Sequence, residues 1–257
     1  MLFDIRGRRK HVVRVVYAIL ALLMGASLFL VVGPFNIGNL IGGGTTTSAA
    51  KVLQEQAEKT EQKLRREPES EVLLAALTRQ RISAANSLTE VNPETGATLY
   101  TPEGRQELER GTEAWSGYLK QSKEPKASLA QLVASAYFGL AETSTSLEEA
   151  TTSVENAAKA QRLVAESQPT INSLTTLAIY EFYSGNFAAG DKAVKEAEAK
   201  AGKTEAKEIG KQMASYRKSA KAFEAQKKVA AKEESKQGKE RLENPFGGLG
   251  GAGGIGE

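Results

Sequence analysis

The sequence contains no cysteine and only one histidine, His11. Without cysteine the chain can form no disulfide, no thiolate metal site and no cysteine nucleophile. A single histidine excludes metal sites built on several imidazoles, and a serine hydrolase triad would have to use His11, which stands among arginine and lysine residues. We therefore predict a protein that is not an enzyme, with no catalytic residues, no metal, no cofactor and no small-molecule substrate.

Aromatic residues make up only 6% of the chain, and positive charge is concentrated at one end. The formal net charge is +3, yet residues 1–14 alone carry +4, from Arg6, Arg8, Arg9, Lys10 and Arg14 against Asp4. Nucleic-acid-binding domains normally spread their basic residues over a folded face and interleave them with aromatic side chains. That pattern is missing here, so we predict no nucleic-acid partner.

Residues 15–32 form a stretch of 18 residues without a single charge. Together with Val12, Val13 and Arg14 it would make a helix of about 31 Å, which matches the hydrocarbon core of a bilayer. A cleaved signal peptide and a buried core helix are the alternatives. The first normally has a shorter apolar segment and a small-residue cleavage site, and the second is seldom apolar on every face. We predict a transmembrane helix over residues 15–32 that contacts the lipid bilayer.

The basic residues around this segment predict its orientation. Five lysine or arginine residues precede it or lie at its start, and none lies between Val32 and Lys51. Basic residues near a span favour the cytoplasmic side. We therefore expect a single-pass protein of the cell membrane, with residues 1–14 as a basic cytoplasmic arm and the C-terminal domain outside the cytoplasm.

After the span, the composition divides the chain into four parts. Residues 33–50 are rich in glycine and threonine and predict a flexible linker, whereas residues 51–223 are rich in strong helix formers and predict a helical domain. Residues 224–243 predict a solvated charged helix, and the glycine-rich residues 244–257 a disordered tail. Prolines separate several of the helical segments, which we place at 51–66, 69–91, 102–122, 126–141, 147–167, 171–184, 187–201 and 204–242.

Turn and cap residues support these boundaries. Thr101 followed by Pro102 is typical of a helix start, Ser146 and Glu149 fit a capping box, and Gly185-Asn186 fits a helix end. Residues 97–100 are the one short candidate strand. In the last helix, Ile209, Met213, Tyr216, Ala220 and Phe223 form an apolar stripe that should cap the end of a helix stack.

Residues 174–197 carry a recurring helix-pair pattern: Leu177, Ala178, Gly185, Phe187, Gly190 and Ala197. This stretch resembles a tetratricopeptide repeat, although Glu181 stands where an aromatic is usual. Residues 126–169 and 70–121 are looser copies, separated by about 44 and 56 residues rather than the usual ~34. Together with the predicted span, the resemblance implies an all-α fold: an N-terminal transmembrane helix, then a tetratricopeptide-like array of antiparallel helix pairs with a C-terminal capping helix.

In stacked helix pairs, the first helix of each pair commonly lines a binding surface. We therefore predict a peptide-binding groove lined by Arg79, Ile82, Gln131, Ser135, Phe138, Thr175, Ile179, Phe182 and Tyr183. Glu181 could also face this groove, and the alternative is a partly exposed surface acid.

The layout is similar to that of bacterial membrane proteins with an extracytoplasmic tetratricopeptide-like domain, some of which associate with the secretory translocon. The predicted function is a membrane-anchored scaffold that binds protein or peptide partners outside the cytoplasm. The alternative is a chaperone-like helper of protein secretion at the translocon.

Overall fold

The computed structural model describes residues 46–91, 98–144 and 146–243. The predictions for the basic arm, the transmembrane helix, most of the linker and the glycine-rich tail lie outside these residues. The described chain forms eight helices and one short β-hairpin: α1 (Thr46–Leu64), α2 (Glu71–Asn86), β1 (Thr89–Val91), β2 (Thr98–Tyr100), α3 (Pro102–Gln121), α4 (Ala127–Glu142), α5 (Leu147–Ser167), α6 (Ile171–Tyr183), α7 (Phe187–Lys200) and α8 (Lys203–Glu243).

The described part of the chain is thus all-α apart from the hairpin, as the sequence predicted. Within those ranges, none of the helices combines the length and apolar composition needed to cross a bilayer.

Local capping residues explain where several helices begin. The Thr101 side chain accepts a hydrogen bond from the Gly104 backbone N–H, and Pro102 occupies the first turn of α3, as predicted. The Ser146 hydroxyl accepts from the Glu149 N–H at the start of α5. At α6, Thr170 and Ser173 form a full capping box that the sequence analysis did not identify. Each bond satisfies a backbone donor that the first helical turn leaves without a partner.

Sequential helices pack against one another as pairs. The closest packing is within α2/α3, α4/α5 and α6/α7, with α1 against α2 and α8 against both α6 and α7. The turn between α6 and α7 is tight because Gly185 adopts a φ of +86°, which favours glycine. Within the described residues, α8 therefore packs against the last of these helix pairs.

Two apolar clusters connect the pairs. The first centres on Ile82, Trp115, Val133 and Phe138 and joins α2 to α6; the second centres on Leu177, Phe182 and Ala197 and joins α4 to α8. Gly190 lets α7 approach α6, since a Cβ there would come within 2.5 Å of the Phe182 ring. The predicted stripe on α8 also packs into the second cluster, with Ile209, Met213 and Ala220 buried.

Two predicted boundaries were wrong. Residues 89–91 belong to strand β1, which pairs antiparallel with β2 through Thr89 and Tyr100, rather than to the preceding helix. The helix α1 begins at Thr46, inside the predicted linker, and Ala50 is already buried. The start of α1 differs because Ala50 packs inside the fold and not in a linker. The end of α2 differs because residues 89–91, whose composition predicted helix, pair with β2 instead.

Candidate functional site

Five of the nine predicted groove residues lie on the surface or are half-buried. Arg79, Gln131 and Ser135 are exposed, and Thr175 and Ile179 are half-buried. They are carried by α2, α4 and α6, the first helices of the three pairs. The hydroxyls of Ser135 and Thr175 donate to backbone carbonyls of their own helices, over 3.3 Å and 2.9 Å. We refer to these five residues together as the first-helix face.

The other four predicted groove residues are buried, and for them the groove prediction was wrong. Ile82 and Phe138 lie in the first apolar cluster and Phe182 and Tyr183 in the second. Phe138 stacks on Tyr180 with 5.4 Å between ring centroids. These side chains face the neighbouring helices because burying a large apolar side chain is worth about 1.5–3 kcal/mol.

Glu181 lies neither in a groove nor on the surface, which were the two positions predicted for it. Only 1% of the residue is exposed, and its carboxylate accepts a hydrogen bond from the Arg162 guanidinium of α5. A buried carboxylate without a cation would be strongly unfavourable, so the pair stabilises the contact between one helix pair and the next. Glu181 is therefore part of the packing between α5 and α6.

A cavity of about 600 Å³ lies between α1, α2 and α3. Its lining residues come from all three helices: Glu58, Glu61, Leu74, Leu77, Arg81, Arg110, Glu113 and Ala114. The volume falls in the range of about 300–1,000 Å³ that is typical of ligand sites in proteins. Because Glu58, Arg110 and Glu113 are exposed, the cavity opens to the surface. We call it the α1–α3 cavity.

Arg81 lies at the base of this cavity, with only 2% of the residue exposed. Its Nη1 donates to the buried Glu107 carboxylate over 2.9 Å, and its Nη2 donates to Glu61 over 2.7 Å. Burial alone would lower the pKa of Arg81, but the hydrogen bonds and charges of Glu61 and Glu107 outweigh this effect and raise it. The Nε of Arg81 is buried and has no hydrogen-bond partner among the residues that the structure describes.

The charges at the mouth of the cavity are not balanced. Glu61 and Glu107 are engaged with Arg81, and Arg110 lies 3.6 Å from Glu107. Glu58 and Glu113 take part in none of the ion pairs formed by the described residues. The arrangement therefore combines an apolar wall with excess negative charge at the opening, which attracts cationic groups.

The α1–α3 cavity was not predicted from the sequence, although the sequence carries one signal for it. Arg81 falls four residues after Leu77 and seven after Leu74, so it lies on the apolar stripe of α2. An arginine on a buried face requires carboxylate partners from other helices. The acids themselves carry no such signal, since acids spaced three residues apart on α1 and four apart on α3 are equally typical of a solvated helix face.

A second unusual acid, Glu142, lies at the end of α4. It is half-buried close to the Tyr100 and Tyr180 phenols, and desolvation raises its pKa to about 7. The same burial, together with the charge of Glu142, raises the pKa of Tyr100 to about 12. The Tyr100 hydroxyl donates to Asn86 over 2.9 Å, and its ring packs against Gly139. Glu142 thus lies where the hairpin meets α4.

Glu142 should make the stability of the fold depend on pH. Its pKa in the folded chain is raised from 4.5 to about 7, so its contribution is fully present below pH 4.5 and is lost as pH rises to about 7. Glu142→Gln removes this titration. We expect similar stability for the two proteins at acidic pH, and at about pH 8 a variant more stable by about 2–3 kcal/mol.

Urea-induced unfolding of residues 46–243, followed by circular dichroism at several pH values, measures this difference. Glu124→Gln changes an exposed carboxylate in the loop before α4 and serves as the control. Parallel pH profiles for the Glu142→Gln variant and the unchanged protein would contradict the assignment.

In the described ranges, no group of three or more histidine, cysteine, aspartate or glutamate residues could hold a metal ion. Within the described residues, the first-helix face and the α1–α3 cavity are candidate binding sites. Comparison of the chain with protein-family models, curated proteins and solved structures finds no match.

Proposed function

We propose that this protein is a membrane-anchored binding module that holds partner proteins outside the cytoplasm. The observation that carries the proposal is the succession of three helix pairs that share continuous apolar clusters. Arrays of this kind present extended surfaces to other proteins. The anchor and its orientation rest on the uncharged residues 15–32 and on the basic residues before them.

The packing of α6 and α7 supports the tetratricopeptide-like character of the array. Ala178 and Ala197 are fully buried, and Gly190 lies against Phe182, so small residues occupy the places where the two helices approach. These are the positions at which the resemblance requires small side chains. The exposed residues of the first-helix face are then the natural place for a partner to bind.

Site-specific photo-crosslinking in living cells tests the proposal. A photoreactive residue at Gln131 or Thr175, on the first-helix face, should form covalent adducts with other proteins. The same residue at Glu155, which is exposed on α5, should form few or none. Protease added to intact spheroplasts should degrade the adducts, because the domain lies outside the cytoplasm.

Two results would contradict the proposal. Equal adduct yields at Gln131 and Glu155 would remove the special role of the first-helix face, and adducts protected from protease would place the domain in the cytoplasm. The number of adducts separates the two predicted roles: a few defined adducts indicate a scaffold, whereas many exported proteins indicate a chaperone-like helper.

A further inference from the structure

We propose that the exposed face of α8 lies against an anionic lipid surface and holds the helical domain close to the membrane. The inference adds a second membrane contact to the proposed function, and rests on it, because the predicted anchor is what brings α8 near a bilayer.

Exposed lysine residues recur along one side of α8. Their spacings of three, four and seven residues place them on one face, because an α-helix repeats every 3.6 residues. We call this set the lysine face: Lys203, Lys207, Lys211, Lys218, Lys221 and Lys228. The apolar stripe of Ile209, Met213 and Ala220 lies on the opposite side and is buried in the second cluster. The packing of α8 therefore directs the lysine face towards solvent.

The chain leaves most of the charge on the lysine face uncompensated. Lys211 pairs with Glu208 over 3.1 Å, whereas the other five lysines take part in none of the ion pairs formed by the described residues. Glu198 of α7 borders the face, since a Cβ on Gly210 would lie 2.6 Å from its carboxylate. The lysines extend over about 38 Å of helix, and such a row of cations attracts an anionic surface.

The residue types on this face favour lipid over a protein or nucleic-acid partner. Arginine is the usual residue for recognising a defined carboxylate or phosphate, because its guanidinium forms paired hydrogen bonds, whereas lysine acts as a point charge. The described part of the lysine face carries no arginine and no aromatic side chain, and the neighbouring Arg217 is held by Asp191. A row of point charges matches a diffuse layer of headgroups better than one defined partner group.

An exposed valine on the same side of α8 supports a lipid surface. Val229 is 56% exposed and follows Lys218 by eleven residues, about three helical turns, so it belongs to the lysine face. Helices that bind membrane surfaces combine basic residues with apolar side chains that enter the headgroup region. A single valine among lysines can make such a contact.

The position of the predicted anchor keeps α8 near the bilayer. Only residues 33–45 lie between the predicted span and the start of α1 at Thr46, and they can extend over at most about 45 Å. Contact between the lysine face and the bilayer is therefore intramolecular, which gives it a high effective concentration.

Energy transfer from α8 to lipid headgroups tests the proposal on the full-length chain in vesicles. The sequence has no cysteine, so Ala225→Cys, at an exposed position of the lysine face, can carry a single donor dye. The headgroups carry the acceptor, and the vesicles contain either phosphatidylcholine alone or equal parts of phosphatidylcholine and phosphatidylglycerol. We expect more transfer in the anionic vesicles, and high salt should remove the difference because it screens the attraction.

Two variants with the same change in net charge provide the comparison. The first is Lys207→Gln/Lys218→Gln/Lys228→Gln. Each lysine at an anionic lipid surface changes binding about fivefold, so this variant should lower the ratio of docked to undocked domains roughly a hundredfold. The control, around the loop between α3 and α4, should dock normally: Lys120→Gln/Lys123→Gln/Lys126→Gln. All six positions are exposed, so thermal unfolding should not change.

Equal transfer in neutral and anionic vesicles would overturn the proposal, and so would equal losses in the two triple variants. Flotation with neutral vesicles checks the anchor separately, and a chain that does not float would overturn the anchor and this proposal with it. If the chain floats and the photo-crosslinks at Gln131 persist while transfer ignores lipid charge, only the lysine face fails. If the crosslinks are absent while transfer follows lipid charge, the first-helix face is wrong and the lysine face is supported.

Discussion

Replacing Arg81 with methionine should reduce the free energy of unfolding by about 3–5 kcal/mol. The substitution keeps most of the side-chain volume but removes the cation that faces Glu107, of whose side chain only 3% is exposed. Among the described residues, the buried Glu107 carboxylate would then keep only Gln54 and the more distant Arg110 as polar partners. A buried charge without its partner is among the most destabilising changes known in protein interiors.

The control separates loss of the charge from loss of packing. Arg79→Met, two residues earlier on α2, alters an exposed arginine and should change stability by less than about 0.5 kcal/mol. The double variant Arg81→Met/Glu107→Met removes both charges and should recover most of the loss. Urea-induced unfolding of residues 46–243 measures all three variants. A double variant no more stable than Arg81→Met would show that the charge pair is not the cause.

Replacing Phe182 with alanine should also destabilise the fold by about 3–5 kcal/mol. Phe182 is 1% exposed, contacts Gly190 where α6 and α7 approach each other, and stacks on Phe187 at 6.2 Å between ring centroids. Removing the ring leaves a cavity that the surrounding helices can fill only in part. The sequence pattern predicted a groove position for Phe182, where the same substitution would weaken partner binding rather than the fold.

Phe187→Ala is the matched control. This ring is half-buried and lies beneath Arg217 and Lys221 of α8, with 5.7 Å and 6.0 Å between the cations and the ring centroid. Its loss should cost about 1–2 kcal/mol, since the ring is half-buried rather than fully buried. Both variants can be compared by thermal and urea-induced unfolding. If Phe182→Ala lowers the free energy of unfolding by less than about 1 kcal/mol, the predicted groove position of Phe182 would be supported instead.

Helix positions were largely predictable because the signals for them are local. Thr101 and Pro102 begin α3 through a hydroxyl and a fixed φ angle, and Gly185 ends the turn after α6 through its positive φ. Both effects depend on residues within one helical turn. The apolar stripe from Ile209 to Phe223 was equally readable, since its spacing alone places it on one face of α8.

The direction in which each helix faces was harder to predict. On α6, the residues from Ile179 to Tyr183 are all large or acidic, and their spacing allows more than one face to be the buried one. Packing against α5, α7 and α8 buries Phe182 and Tyr183 and leaves Ile179 half-buried. Glu181 is buried beside them because its carboxylate forms an ion pair with the Arg162 guanidinium of α5.

The order of the helices, most of their ends and the apolar stripe of α8 follow from interactions between residues close in the chain, which is why composition and spacing were sufficient to predict them. The α1–α3 cavity depends on contacts between residues far apart, such as Arg81 with Glu61 and Glu107, over separations of 20 and 26 residues. No local pattern specifies which of many acids will meet one arginine. The partners of Arg81 are determined only when α1, α2 and α3 pack together, because a buried charge is unfavourable unless it is paired.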